Sequence, residues 1–370
     1  RMPPLPDKMH AGIPGGSLYG IERGDMRCVL PLFQRRPVMT NNPVTLGHGS
    51  GGRQSAELVS FLLESFRKRG IGPEMEDAAV IPGGYAFTVD GFTVSPRKFP
   101  GGDIGHLCVC GCANDLAVRG ASPDFLGISL VIEEGFPKDE AAGYMESAAK
   151  TCGEIGMSLA AGDTKVVPVG GVEGLIMTGC AVGRIQTPSV LSSSNLQEGD
   201  SIIVTTSIGR HGAAIAASRF NLSVDGLESD CAPLWPALQP ILAEKGLRCM
   251  RDCTRGGLGT VLCEWAEASG LHISLEEDAI PLNLQVRSLC DVLGFDPMYM
   301  ACEGCAAIAV APGCAEDIVR KLRESPLCTE ATVIGRVLAG EPSGMVSLRT
   351  SIGGERLVDM PFGELLPRIC

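Results

Sequence analysis

Acidic and amide side chains recur beside glycines and predicted strand ends in the first half of the chain. They are Asp77 in "EDAAV", Asp90 in "TVDG", Asn114 and Asp115 in "ANDL", and Asp163 in "AGDTK". Hard cations such as Mg²⁺ bind carboxylate and amide oxygens and share them with substrate phosphates. Each residue taken alone is better explained as a cap or turn residue. Together they predict a site for a metal ion and a triphosphate.

Three further stretches are candidates for holding phosphates. "GDTK" at 162–165 and "RDCTRGG" at 251–257 each place an acid, a threonine and a cation, and the second leads into glycines that open a helix. Helix N-termini bind phosphate, although two ordinary N-cap turns explain the pattern equally well. "LGHGSGGR" at 46–53 matches neither the P-loop nor the dinucleotide fingerprint, so a nucleotide site here is of another type. Its His48 suits a phosphate contact or a local hydrogen bond equally.

Two cysteine clusters are candidate metal ligands, but their spacing argues against that role. Cys108, Cys110 and Cys112 lie in a predicted helix, where Cys110 points away from the other two. Cys302 and Cys305 have a plausible ligand spacing, but a structural zinc needs four ligands and no second pair is present. We interpret both clusters as packing.

The last residue of the sequence, Cys370, is a thiol in the stretch "PRIC". Terminal thiols are accessible and easily oxidised, so the position suits either chemistry or an accident of sequence. Residue types alone favour the accident.

The elements that must position these residues follow from the hydrophobic pattern, which predicts two α/β domains. A helix over 53–70 places Val59, Leu62, Leu63 and Phe66 on one face. Further elements of the first domain are predicted as strands at 85–94, 124–135 and 172–185 and helices at 102–121 and 138–156. A polar linker at 186–200 puts a domain boundary near 190. The second domain is predicted to have strands at 201–209 and 306–312 and helices at 210–220 and 256–270.

These patterns divide the chain into four segments. Residues 1–43 are predicted to be a disordered or non-native leader, with Met39 as the natural start. An N-terminal domain at 44–190 and a C-terminal α/β domain at 191–350 follow, and a flexible tail occupies 351–370.

Composition excludes several classes of protein. The net charge of -12 and the pI near 5.0 argue against binding nucleic acid or an anionic membrane surface. No apolar run approaches the roughly 20 residues that cross a bilayer, and nothing resembles a secretory signal. The sixteen cysteines lie mostly in apolar runs, which predicts reduced thiols and a cytoplasmic protein.

Eight motifs, from "HGSGG" near residue 48 to "PRIC" at the end, resemble the HypE family of hydrogenase maturation proteins. The others are "FPGGDIG", "GCANDLAVRGA", "EEGFP", "GDTKVV", "CTRGG" and "EGC". This family is a branch of the aminoimidazole ribonucleotide synthetase superfamily, and the resemblance covers about 44–370. It implies a two-domain α/β (α+β) fold whose N-terminal domains pair as a dimeric β-barrel, with a mobile C-terminal tail.

The resemblance also implies an activity. Cys370 would receive a carbamoyl group from the carbamoyltransferase HypF, and ATP with Mg²⁺ would drive its dehydration to a thiocyanate. The cyanide would pass to iron on the HypC–HypD complex for a [NiFe] hydrogenase. The chain would act as a cytoplasmic homodimer, dimerising through the strands at 85–94 and 124–135.

Site residues carried over by motif form three groups. The implied ligands of Mg²⁺ are Asp77, Asp90, Asn114 and Asp163. The implied nucleotide contacts add His48, Gly51, Gly52, Asp115, Thr164, Lys165, Asp252, Thr254, Arg255 and Gly256. The implied catalytic residues are Cys370, Lys165 beside the transferred phosphate, and Glu303 as the base for the carboxamide N–H.

The chain departs from the family pattern at several positions. Val89 and Gly91 flank Asp90 where the family has hydroxyls, Ser95 stands where an acid is common, and Cys302 stands where Asn is usual. Alternatives are a related enzyme, such as selenophosphate synthetase or thiamine monophosphate kinase, or a carrier that only presents Cys370. Selenophosphate synthetase carries its reactive Cys or Sec in a glycine-rich N-terminal stretch. The stretch "LGHGSGG" contains neither residue.

Overall fold

The computed structural model describes residues 43–72, 75–339 and 343–363. The predicted leader, apart from its last residue Pro43, and the reactive-cysteine prediction at Cys370 lie outside the described residues. The described residues from Thr45 onward group into one unit.

The first half of this unit alternates strands and helices. Its elements are α1 (Arg53–Arg67), β1 (Ala79–Ile81), β2 (Tyr85–Phe92), β3 (Lys98–Phe99), β4 (Gly102–Asp103), α2 (Ile104–Val118), β5 (Phe125–Glu133), α3 (Lys138–Ile155), β6 (Ser158–Val167) and β7 (Leu175–Arg184). Five strands form a sheet in the order β1-β2-β7-β5-β6, in which only β5 and β6 pair in parallel, and β3 pairs with β4 alone.

The second half forms a larger sheet. Its elements are β8 (Ser201–Val204), α4 (Arg210–Arg219), α5 (Trp235–Leu238), β9 (Leu247–Asp252), α6 (Gly257–Ser269), β10 (His272–Glu276), α7 (Leu284–Leu293), β11 (Ala306–Val310), α8 (Ala315–Leu322), β12 (Thr332–Leu338), β13 (Val346–Arg349) and β14 (Glu355–Val358). Seven strands pair in the order β14-β13-β10-β12-β8-β11-β9, with β10 and β13 parallel. Short 3-10 helices lie at Leu46–Gly49, Ser193–Asn195, Gln239–Ile241, Glu277–Ala279, Pro297–Tyr299 and Pro326–Cys328.

Helix α2 is the element that joins the two halves. It packs against β2, β7 and α3 of its own half and against β9 and α5 of the other. These contacts bury 13 of its 15 residues, and nearly all of the buried residues are apolar or small. Small residues allow the close approach: a β-carbon on Gly105 would lie 1.9 Å from the Tyr144 carbonyl oxygen of α3.

The opposite face of the first sheet is open. Phe87 and Val89 of β2 and Phe125 of β5 are exposed on this face, where an alternating strand usually carries polar residues. The edge strand β6 is exposed along nearly its whole length. An apolar sheet face of this kind is a candidate interaction surface.

Two sequence expectations, those for "GDTK" and for the tail, need correction. "GDTK" is not a helix-capping turn, because 162–165 lie inside the extended strand β6. Helix α1 forms as predicted, but none of its residues is buried and Leu62 and Phe66 are exposed. Part of the segment predicted as a flexible tail forms β14, which pairs with β13. Among the helices of the described residues, none is long and apolar enough to cross a membrane.

The contact between α2 and α3 predicts a contrast between two glycines. Gly105→Ala should lower the free energy of unfolding by about 3 kcal/mol or more, because the new methyl would overlap a backbone carbonyl. Gly143→Ala, in α3 with nothing within 4 Å of its β-carbon position, should raise it by about 0.5–1 kcal/mol. Urea unfolding of both variants measures the difference. Equal effects would contradict this account of the helix contact.

Candidate active site

A cleft of about 360 Å³ is lined by residues from both halves of the chain. Ten of the residues predicted from sequence line it: His48, Gly51, Gly52, Asp77, Asp90, Asp115, Asp252, Thr254, Arg255 and Glu303. The fold brings them together because Asp90 lies in β2, Asp115 in α2 and Asp252 at the end of β9, and α2 packs against both strands.

Two glycine turns close one side of the cleft. Gly52 is the N-cap of α1 and Gly256 that of α6, and both adopt positive φ, near 80°. A β-carbon on Gly51 would lie 2.9 Å from the Arg255 carbonyl oxygen, so the two turns are in contact. Two helices therefore begin beside the cleft, and helix N-termini attract phosphate groups. His48 also makes the local hydrogen bond considered above, because its Nδ1 accepts from the Thr45 backbone N–H at 3.0 Å.

The deepest feature of the cleft is a cluster of three acids. One carboxylate oxygen from each of Asp77, Asp115 and Asp252 lies within 4.8 Å of the others. Thr88 donates a 2.6 Å hydrogen bond to Asp115 Oδ2. Within the described residues, Oδ2 of Asp77 and Oδ2 of Asp252 are buried without a hydrogen-bond partner.

These acids are hard to ionise in the absence of a cation. Burial raises the pKa of Asp77 to about 6, against the opposing effect of Arg251. Burial, followed by the charge of Asp252, holds the pKa of Asp115 well above its ordinary value. The pKa of Asp252 is raised in the same way, by burial and then by Asp77. The group fits Mg²⁺, because it offers clustered carboxylate oxygens, two of them unsatisfied, to an ion that prefers such ligands.

Arg251 is a cleft residue that sequence reasoning passed over. Its guanidinium lies 2.9 Å from Asp77 Oδ1 and 2.5 Å from Glu264 Oε2. The signal was present, because Arg251 opens the stretch "RDCTRGG". Its position in β9 aims it at the acids, and this pairing depends on how the two halves fold together.

Glu303 lies in the cleft on a firmly held loop. The Asp230 carboxylate accepts hydrogen bonds from the backbone N–H groups of Glu303 and Gly304, at 3.2 and 3.3 Å. The side chain is buried, and burial, followed by the charges of Asp252 and Asp90, holds its pKa well above the ordinary value. A carboxyl group with a raised pKa in a cleft suits proton transfer.

Asn114 lies outside the cleft lining and has a different environment from the one predicted. Its amide nitrogen donates to the carbonyls of Glu303 and Ala232, and its amide oxygen accepts from the backbone N–H of Leu234. These bonds join α2 to the second half of the chain. A role as ligand of Mg²⁺ stays a prediction for this residue.

The remaining predicted residues also lie away from the lining. Asp163, Thr164 and Lys165 are on the exposed edge strand β6, where the Lys165 ammonium bonds the Asp163 carboxylate at 2.6 Å. This contact lowers the pKa of Asp163. Gly256 is the N-cap of α6 and follows Arg255 in the chain, but it is outside the cleft lining. The roles assigned to these four residues stay predictions. The three on β6 would have to act at a place other than the cleft of their own chain.

Comparison with known proteins decides the family. The AIR synthase related protein family matches in two parts, the N-terminal domain at 75–185 and the C-terminal domain at 197–347. The carbamoyl dehydratase HypE of Rhodobacter capsulatus is 40% identical over 337 residues, which are 88% of this chain and 98% of that protein. The chain belongs to the HypE family. The predicted resemblance and fold class are therefore confirmed.

Two solved HypE structures show the same fold. HypE in a HypE–HypF complex is 35% identical with a TM-score of 0.78, covering 84% of this chain and 100% of that one. HypE in complex with ATP is 36% identical with a TM-score of 0.76, covering 89% of this chain and 100% of that one. The family assignment removes selenophosphate synthetase and thiamine monophosphate kinase as alternatives.

The acid cluster predicts opposite effects of one substitution on stability and on metal binding. Asp252→Asn should raise the unfolding free energy of the metal-free protein at pH 7 by roughly 1–3 kcal/mol, because folding otherwise has to bury this carboxyl group ionised among other acids or take up a proton. The same change should weaken Mg²⁺ binding. The pKa of Asp252 is raised on folding, so wild type loses stability as pH rises through that pKa. The gain should therefore vanish near pH 4.

The measurement is chemical denaturation at several pH values, beside magnesium titration of the folded protein. Asp163→Asn, which removes an exposed carboxylate, is the control and should leave the unfolding free energy nearly unchanged. Destabilisation by Asp252→Asn at pH 7 would contradict the repulsion that we assign to the cluster.

Proposed function

We propose that the cleft binds Mg²⁺-ATP and that ATP phosphorylates a carbamoyl group carried by Cys370, which is then dehydrated to a thiocyanate. The activity class, an ATP-dependent carbamoyl dehydratase, is that of the HypE relatives. The observation that carries the proposal for this chain is the acid cluster with its unsatisfied oxygens, lying beside two helix N-termini.

The nucleotide site follows from charge. Asp77, Asp115 and Asp252 would hold Mg²⁺, with Asp90 beside them, and the cation would neutralise triphosphate charge. The N-termini of α1 and α6 and the Arg255 side chain, which lines the cleft, would bind the phosphates.

The last described residues of the chain pass beside this site. The Pro361 carbonyl accepts a 3.1 Å hydrogen bond from the N–H of Arg53, the first residue of α1. A β-carbon on Gly52, which lines the cleft, would lie 2.5 Å from the same carbonyl. Cys370 follows the last described residue, Gly363, by seven positions, a reach of at most about 25 Å when extended. The position of the tail at the cleft rim supports reaction of Cys370 within the chain.

The chemical step has two parts. The carboxamide oxygen attacks the γ-phosphorus and releases ADP, which converts a poor leaving group into a phosphate. The nitrogen then gives up its protons, the C–O bond breaks, phosphate leaves and the C≡N bond forms. Glu303 is placed to accept a proton, and a positive charge bound among the acids would favour its ionised form.

Partners follow from the family and remain proposals for this chain. The solved HypE–HypF complex supports HypF as the carbamoyl donor. We also propose transfer of the cyanide to HypC–HypD and action in the cytoplasm, in line with the fourteen free cysteines among the described residues.

We propose a homodimer formed through the open face of the first sheet. Phe87, Val89 and Phe125 give that face its apolar character, and the exposed edge strand β6 continues it. Pairing two copies there would bury this surface. In such a dimer, Lys165 of one copy could reach the cleft of the other copy. The dimeric β-barrel stays a prediction.

The function is tested by intact-mass measurement after incubation with HypF, its carbamoyl donor and ATP. Wild type should gain a carbamoyl group on Cys370 and then lose the mass of one water. Cys370→Ala should gain neither, whereas Cys314→Ala, which removes another thiol, should behave as wild type. An adduct on any other cysteine would contradict the proposal.

Single-turnover measurement on Glu303→Gln separates the chemical roles in the same assay. The variant should slow dehydration by about 10²–10⁴-fold with ATP affinity nearly unchanged, because only the proton acceptor is lost. Dehydration at the wild-type rate would show that Glu303 is not the base.

The dimer is tested by charge placed on the open face. Phe125→Glu should give monomers in light scattering, while Val292→Glu, at an exposed site on α7, should leave the mass unchanged. Mixing Lys165→Ala chains with Cys370→Ala chains should restore part of the activity that each lacks alone. A wild-type monomer with full turnover would contradict the proposal.

A further inference from the structure

Behind the cleft, the side chains of three residues converge from both halves of the chain. A ring nitrogen of His106 and the Sγ atoms of Cys110 and Cys231 lie within 4.8 Å of one another. His106 and Cys110 are four residues apart on α2, the spacing that places two side chains on one helix face. Cys231 comes from the segment before α5. The packing interpretation of Cys110 considered only its neighbouring cysteines and missed these partners.

The separation of His106 from Cys110 matches a tetrahedral metal site. The Nε2 atom of His106 lies 3.5 Å from Cys110 Sγ. Zinc bonds of about 2.0 Å to nitrogen and about 2.3 Å to sulfur, at a tetrahedral angle, separate the two ligand atoms by roughly 3.5 Å. The metal would therefore fit between these two side chains without moving their backbones.

The surroundings orient the ligands. The Thr151 hydroxyl donates its proton to the Ser147 carbonyl, so its oxygen accepts a 2.7 Å hydrogen bond from the Nδ1–H of His106. Because Nδ1 is used in this bond, Nε2 is the ring nitrogen available to a metal. A ligating histidine typically donates its other ring N–H in this way. Binding would replace one hydrogen bond, the 2.9 Å contact of Nε2 with the Cys231 carbonyl. Cys231 is itself fixed, because its N–H donates to Ser229 Oγ at 2.9 Å.

We propose that His106, Cys110 and Cys231 bind one divalent cation of the zinc type. Two thiolates and an imidazole are the ligands that Zn²⁺ favours, whereas Mg²⁺ prefers oxygen. A fourth ligand, such as a water molecule, would complete the tetrahedron. Binding releases three protons, one from each of the two buried thiols and the Nε2 proton that His106 donates to the Cys231 carbonyl.

The site would tie the two halves of the chain together next to the cleft. Cys110 precedes Gly111, which lines the cleft, and Cys231 follows Asp230, whose carboxylate holds the Glu303 loop. The ion would thus fix α2 to the segment that positions Glu303. This role is separate from the acid cluster and does not depend on the function proposed for it.

The experiment uses the full chain, stripped of metal with a chelator under reducing conditions and titrated with Zn²⁺ and then Co²⁺. Wild type should bind one equivalent more zinc than Cys110→Ala or Cys231→Ala, and its cobalt form should show thiolate-to-metal absorption that both variants lose. Cys108→Ala is the matched control: it removes another buried thiol of α2 that is outside the site, and should behave as wild type.

A gentler variant keeps the test informative if a cysteine change impairs folding. Thr151→Val retains all three ligands and should weaken zinc binding by about 10–100-fold with unchanged stoichiometry, because the histidine loses its orienting partner. Equal zinc content in wild type and Cys110→Ala, or no retained zinc in wild type, would overturn the proposal. A Cys110–Cys231 disulfide in a chain that binds no zinc when reduced would overturn it too.

Discussion

Mutual repulsion among buried carboxylates is the constraint on which the site depends. Asp77, Asp115 and Asp252 meet where β9, α2 and the entry to β1 converge, and Arg251 pairs with only one of them at hydrogen-bond distance. Isolated buried anions are unfavourable unless a cation compensates them. The fold tolerates this arrangement because the raised pKa values let protons replace the missing charge. A site of this kind is prepared for a metal ion and the phosphates that accompany it.

Hydrogen bonds to backbone groups, by contrast, fix the Glu303 loop and join it to α2 of the first half. Asn114 bonds three backbone groups of the second half, and Asp230 holds the Glu303 loop through two N–H groups. These contacts set the position of Glu303 relative to the acids. The cleft therefore has a rigid floor, while its rim is formed by glycine turns and by the segment that leads to the tail.

Sequence predicted much of the fold because its signals were local. The helices over α2, α3 and α6 and the strands β2, β5 and β7 follow directly from hydrophobic period and from glycines at their ends. All three acids of the cluster had been named from sequence, Asp77 as an implied metal ligand and Asp115 and Asp252 as implied nucleotide contacts. The departure at Cys302 has a packing explanation, because its buried Sγ accepts a hydrogen bond from the Gly209 N–H at 3.0 Å.

The remainder required tertiary information. A carboxamide in "ANDL" is equally suited to bind a metal or to bridge two segments, and the bridge became visible only from the position of 232–234. The stretch "GDTK" has the composition of a cap, but pairing with β5 makes it a strand. His106, Cys110 and Cys231 are 125 residues apart at the extremes, so no spacing rule could group them.

Anomalous scattering from Mn²⁺ is the most direct test of the central claim, that the acid cluster is the metal site for ATP. Crystals grown with Mn²⁺ and a non-hydrolysable ATP analogue should show a manganese peak bonded to carboxylate oxygens of Asp77, Asp115 and Asp252. The triphosphate should lie against the N-termini of α1 and α6. Manganese bound at Asp163 on β6, with the three clustered acids empty, would contradict the account.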